Sequence, residues 1–218
     1  MGIRGGPFSE LHFSSRKPQF PVPLRDRARR SRYNGGVPVT IRDFRPEDFE
    51  TLWRIDQECF SPGISYSRPE LKFYIRRRGS FTLVAEETAE QAAREAFEAS
   101  TERLAAEAAG GKVSDTKIAN TKVAGFIVAQ ASRTGHIITI DVVAAARRSG
   151  VGSLLLQAAE DRLRVAGSKV VGLETAVDNL SALAFYKRHG YSVIETVPRY
   201  YSTGVDALRM KKDLATAP

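Results

Sequence analysis

The sequence predicts a mixed α/β fold: one mostly antiparallel sheet of about seven strands, with about four helices packed on it and a further exposed helix inserted. Three observations carry this. Strand-like apolar runs alternate with segments of helical period in a set order: strand, helix pair, hairpin, strand, helix, strand, helix and a terminal pair of strands. The strand ITIDVV passes through Gly150 and Gly152 into a helix that begins at Val151. With 218 residues, 42% of them hydrophobic, the chain can bury one substantial core.

Residues 1–36 hold prolines at 7, 18, 21 and 23, the run RDRARRSR and a closing Gly35-Gly36. They carry eight Lys/Arg against two Asp/Glu and no apolar period, so they read as a disordered basic arm ahead of one domain over 37–218. Val37 to Phe44 alternates as a first strand, and Pro46-Glu47-Asp48 starts a helix whose apolar face is Phe49, Leu52, Trp53, Ile55 and Phe60. SPGISYSRPELKFYIRRR supplies a turn and a second short helix after Pro69; Phe81 to Glu86 and Lys122 to Ala131 are strands. Between them lies an insertion, 87–120, rich in alanine and glutamate, with a thin Phe97/Leu104 stripe and a Gly110-Gly111 stop. It reads as an exposed helix and a surface projection. Lys169 to Thr175 is a strand, Asn179 to His189 a helix ending at Gly190, and Tyr191 to Val197 and Val205 to Lys212 are the last strands.

Composition excludes several classes. One cysteine, Cys59, rules out a disulfide framework, and three scattered histidines, His12, His136 and His189, offer no pair at metal-ligand spacing. No apolar run approaches the roughly 18 residues of a membrane span, and no secretory signal opens the chain, so a soluble cytoplasmic protein is expected. The net charge of +8 is unevenly spread: residues 86–109 hold two Lys/Arg against seven Asp/Glu, residues 110–218 fifteen against nine. The excess in the arm and around the glycines suits a polyanionic cofactor as well as a nucleic acid. No element for specific DNA binding stands out. The arm is either a tether to the ribosome or a dispensable extension.

Arg147, Arg148, Ser149, Gly150, Val151, Gly152 and Ser153 form a phosphate cradle: glycines let a ligand approach the main chain, and the first N–H groups of a helix have no internal partner. A dinucleotide fingerprint fails because Leu155 stands where its third glycine belongs, and no Gly-Lys-Ser or Gly-Lys-Thr occurs. The pattern Arg147-x-x-Gly150-x-Gly152 resembles the acyl-coenzyme A loop of the GCN5-related N-acetyltransferases (GNAT). That resemblance implies acetyl-coenzyme A as cofactor, its pyrophosphate on the loop amides, the N–H of Val142 on the thioester carbonyl, and a sheet with a splayed central strand pair. Ala144 departs from the family's usual proline.

A second stretch, VGLETAVDNLSALAFYKRHGYSVIETVPRYY, resembles the same family, with Glu174, Asn179, Ala182, Tyr186, Gly190 and Tyr191 in register. The likeness is strongest to the branch that acetylates protein α-amino groups, as on ribosomal proteins, and takes in ECFSPGISYS and the RYY-then-DALRM tail. It implies Asn179 at the cofactor and Tyr200 and Tyr201 as a wall of a peptide slot. Acetyl transfer to an amine needs a proton acceptor and a proton for the departing thiolate. Glu174 at a strand end can be the first and Tyr186, on one helix face with Asn179, the second. The expected acceptor is a protein N-terminus; a lysine side chain or a small amine stays open, and so does a non-catalytic acyl-coenzyme A sensor or ribosome-binding module.

Overall fold

The computed structural model describes residues 39–88 and 122–215. In chain order these form β1 (Val39–Asp43), a 3-10 turn (Pro46–Asp48), α1 (Phe49–Cys59), α2 (Arg68–Arg76), β2 (Ser80–Glu87), β3 (Val123–Gln130) and β4 (Thr134–Val142). A second 3-10 turn (Ala144–Ala146) leads to α3 (Val151–Val165), β5 (Val170–Ala176), α4 (Leu180–Arg188), β6 (Ser192–Val197) and β7 (Ala207–Asp213). The seven strands lie in the order β1-β2-β3-β4-β5-β7-β6. Every pairing is antiparallel except β4 with β5. The predicted class and element order hold. The arm over 1–36 and nearly all of the insertion lie outside the described residues; β2 runs through Glu87, so the chain leaves the sheet after it.

Alternation along the strands splits the core between two faces. On one, Leu83, Ile127, Leu173 and Met210 meet Leu155, Leu156 and Leu163 of α3. On the other, Val84, Phe126 and Val128 meet Leu52 and Ile55 of α1 and Leu71 of α2. Leu155 is fully buried, and truncating such a side chain to alanine costs about 2–5 kcal/mol. The helix ends are capped by local chemistry: Ser67 and Glu70 form a capping box at α2, with Pro69 inside its first turn and not ahead of it, and the Asn179 side chain accepts the Ala182 N–H at α4.

β4 carries an irregularity that matters for the site. Val128 pairs with Thr139 and Ala129 with Ile137, which leaves Ile138 as an extra residue. Such a bulge turns the following side chains over. His136, Thr139 and Asp141 therefore face α1 and α2, while Ile137, Ile140 and Val142 pack towards α3.

Candidate active site

The site is built around a gap in the sheet. β4 and β5 pair only over Thr134 to His136 with Val170 to Gly172, and then separate. The Val143 N–H donates to the Ala124 carbonyl on β3. Since successive N–H groups of a strand point to opposite sides, that of Val142 points away from β3, into the gap. This is the orientation expected of a donor to a carbonyl held between the strands.

At one mouth of the gap lies the predicted cradle. The three-alanine turn makes the bend without proline, and Ser149 Oγ ties it down by donating to the Ala146 carbonyl at 2.7 Å. Arg148 (φ 61°) and Gly150 (φ 94°) are left-handed, which curls the loop so that Gly150 caps α3. Leu154 is the first residue of α3 to close a helical bond, so the N–H groups of Val151, Gly152 and Ser153 have no helical acceptor. Arg147 bends back, its Nε donating to the Val142 carbonyl at 3.0 Å and its guanidinium 3.6 Å from Cys59 Sγ. Gly152 works differently from Gly150. Its backbone is ordinary helix, and an added Cβ would sit 3.5 Å from the Phe185 ring and 3.7 Å from Val142 Cγ2. A methyl fits there, but a longer side chain has to enter the mouth of the gap. Ser153 Oγ lies 2.9 Å from His189 Nε2. Asn179 spends its carbonyl oxygen on the α4 cap and on Ser181 Oγ, leaving its NH2 group for a ligand. Free amides, two arginines and a small-residue floor fit a diphosphate.

On the opposite face the register brings together groups far apart in sequence. Glu174 accepts from Arg209 Nε on β7 at 2.9 Å, and its other oxygen is 3.2 Å from His136 Nε2 on β4. Burial pushes the Glu174 carboxyl upward, but His136 and then Arg209 outweigh it and hold it below the usual range. Glu174 is therefore ionised at neutral pH. Back on the α3 side, Tyr186 of α4 is buried in the same core as Val151 and Leu155, its ring edge-on to Phe185 and Tyr191; burial first, then Asp141 and Tyr201, keep its phenol protonated well above its ordinary range. It is a donor, as a general acid must be.

The loop between α1 and α2 roofs the Glu174 face. Ser202 Oγ, in the β6–β7 connection, donates to the Gly63 carbonyl at 3.0 Å. Tyr66 stacks at an angle on Tyr74 and reaches the Ile138 carbonyl. Tyr200 and Tyr201 pack edge to face, Tyr200 being partly exposed. Asp56 anchors the loop, accepting the Tyr66 N–H at 2.8 Å while Gln57 bridges it to the Tyr66 carbonyl; burial raises its carboxyl to about 6. Nearby Asp141 is buried and accepts only from Thr139, with its second oxygen unpartnered, and burial raises its carboxyl well above normal. Sequence reasoning missed His136, Arg209, Tyr66, Asp56 and Asp141. Only the β4–β5 and β5–β7 registers reveal the first two.

With this geometry in hand, comparisons with known proteins point one way. The Acetyltransferase (GNAT) family profile matches residues 49–191. N-alpha-acetyltransferase 30 of Schizosaccharomyces pombe is 37% identical over 75 residues, which is 34% of this chain and 50% of that protein. The chain thus spans about half the length of that curated relative. Among solved structures, Ard1 from Thermoplasma volcanium superposes with a TM-score of 0.60 at 27% identity, covering 80% of this chain and 97% of that one. The ribosomal-protein-S18-alanine N-acetyltransferase from Escherichia coli gives 0.61 at 18% identity, over 83% and 96%, which speaks for the fold.

Proposed function

Because the chain belongs to the GNAT acetyltransferase family, we propose that it transfers the acetyl group of acetyl-coenzyme A to the α-amine of a protein N-terminus, a ribosomal protein among the candidate acceptors. One observation carries the reading: the β4–β5 gap has a diphosphate-fitting cradle and a protonated phenol from α4 on one face and, on the other, an ionised carboxylate under a roofing loop. The names of the relatives support the α-amine as acceptor.

Bound acetyl-coenzyme A supplies an activated acetyl group and a thiolate leaving group. The N–H groups of 151–153, with Arg147, Arg148 and the Asn179 amide, hold its phosphates and arm. The Val142 N–H stabilises negative charge growing on the thioester oxygen. Glu174 attracts the incoming ammonium and accepts a proton, directly or through water. Its low affinity for that proton makes this transfer uphill, and His136, 3.2 Å away, is an imidazole suited to pass the proton on. Tyr186 gives its proton to the departing sulfur. Tyr66, Tyr200 and Tyr201 wall the slot; a chain terminus enters such a roofed slot end-on. The arm over 1–36 and the insertion take no part in the chemistry, and cytoplasmic action suits the lone half-buried Cys59.

The test is incubation with labelled acetyl-coenzyme A and peptides that differ in their first residues, beside N-blocked and lysine-containing controls. Label should appear on free N-termini alone. Label on the lysine of an N-blocked peptide would overturn the acceptor, and no turnover on any amine would overturn the enzyme.

A further inference from the structure

One polar contact at the cradle has no part in the reading above. Ser153, in the first turn of α3, and His189, which ends α4, meet through Oγ and Nε2 at 2.9 Å. The His189 ring also lies 4.6 Å from that of Phe185, the ring that faces Gly152. The end of α4 is thus seated on the first turn of α3, beside the free N–H groups.

We infer that His189 is a positioning residue for the coenzyme's diphosphate: its Nε2–H donates to Ser153 Oγ, which turns the single hydroxyl proton of Ser153 towards the anion. The inference rests on the coenzyme assignment made above. A serine hydroxyl has one proton and two lone pairs. If Nε2 were the acceptor, the proton would point at the ring and only lone pairs would face a phosphate. If Nε2–H is the donor, a lone pair is used and the proton is free for a charge-assisted bond. Burial first, then Arg188, pull the His189 titration down, Glu160 opposes them and Lys212 adds to them. The ring is therefore neutral near pH 7, and its tautomer decides which way the hydroxyl points.

The ring nitrogens of His189 are read by 15N NMR in the free protein and with coenzyme A, and coenzyme A affinity by calorimetry for Ser153→Ala, His189→Phe, the double variant and His189→Gln. The expected results are the Nε2–H tautomer, a loss of about 3- to 10-fold for each of the first two, and no further loss in the double variant. Glutamine, whose amide N–H reaches the place of Nε2, should retain most of the affinity. In turnover, the loss should fall on KM for acetyl-coenzyme A more than on kcat. A Nδ1–H tautomer in the complex, wild-type affinity in His189→Phe, or additive losses would overturn the inference; the tautomer decides should a variant fail to fold. Gly152→Glu separates the two readings. If it binds coenzyme A as the wild type does, the coenzyme assignment itself fails. If it loses binding while the His189 variants keep theirs, only the role of His189 fails.

Discussion

Glu174→Gln isolates the chemistry of the carboxylate with little change of shape. The amide can still accept from Arg209 Nε, now 2.9 Å from Oε1, but it carries no charge and takes no proton. As a general base, Glu174 is expected to contribute about 10² to 10⁴ in kcat, or about 2.7–5.4 kcal/mol at ~1.36 per decade. A bond to a charged group is worth about 1.5–3 kcal/mol, discounted here to about 1 because the Arg209 side chain is 39% exposed. The predicted loss in rate therefore far exceeds the loss in stability. Because the folded protein holds this carboxyl below its ordinary range, its stabilising effect is present at neutral pH and fades as pH falls through that depressed value. The stability gap between wild type and variant should close in acid. Initial rates on one peptide, coenzyme A calorimetry and thermal melts from pH 3 to 8 supply the three readouts. Arg209→Met adds a directional check: without the guanidinium only His136 still opposes burial, the carboxyl rises, and the acid limb of kcat/KM moves to higher pH. A Glu174→Gln enzyme with wild-type kcat would refute Glu174 as the proton acceptor, and the His136 side of the pair would have to carry the step.

Tyr186→Phe should lower kcat by about 10- to 10³-fold while coenzyme A affinity and melting temperature stay near wild type; a kcat within a factor of two would remove the phenol from the mechanism. Tyr200→Ala should raise KM for the peptide and leave KM for acetyl-coenzyme A unchanged, and the reverse pattern would place Tyr200 on the coenzyme side. Asp56 titrates near 6 in the fold against 3.8 ordinarily, so its contribution is fully present below about pH 4 and lost as pH rises through about 6. Asp56→Asn, whose carbonyl can still accept the Tyr66 N–H, should therefore be more stable than wild type at pH 8, by at most about 3 kcal/mol, with no difference near pH 4. Denaturant melts at the two pH values check the sign.

What could be read from the sequence divides along the range of the interactions involved. The cradle was legible because a strand, a left-handed Gly150 and a helix start are consecutive, and the left-handed turn falls where the glycine stands. Gly152 was legible as a position but not as a reason: its neighbours are Phe185 and Val142, and only packing shows that the space above it is shared with the mouth of the gap. His136 drew attention only as a metal ligand that lacked companions. Its place beside Glu174 depends on a parallel register of three residue pairs, which has no local signature.

The short β4–β5 pairing explains why the site draws on so many elements. Backbone N–H groups in a sheet are ordinarily satisfied by the next strand, and one left without a partner costs about 1–3 kcal/mol when buried. Beyond His136 and Gly172 the two strands separate, which leaves the Val142 N–H for a ligand instead of a neighbour. A gap of this kind opens on both faces of the sheet at once. On the proposed reading, the first turn of α3 then holds the anion on one face while β5, β7 and the α1–α2 loop furnish the carboxylate and Tyr66, Tyr200 and Tyr201 on the other. Two substrates meeting through a sheet, and not side by side upon it, need no shared motif. The second constellation serves both faces: its α4 carries Tyr186 to the α3 side, while its β5 carries Glu174 to the other.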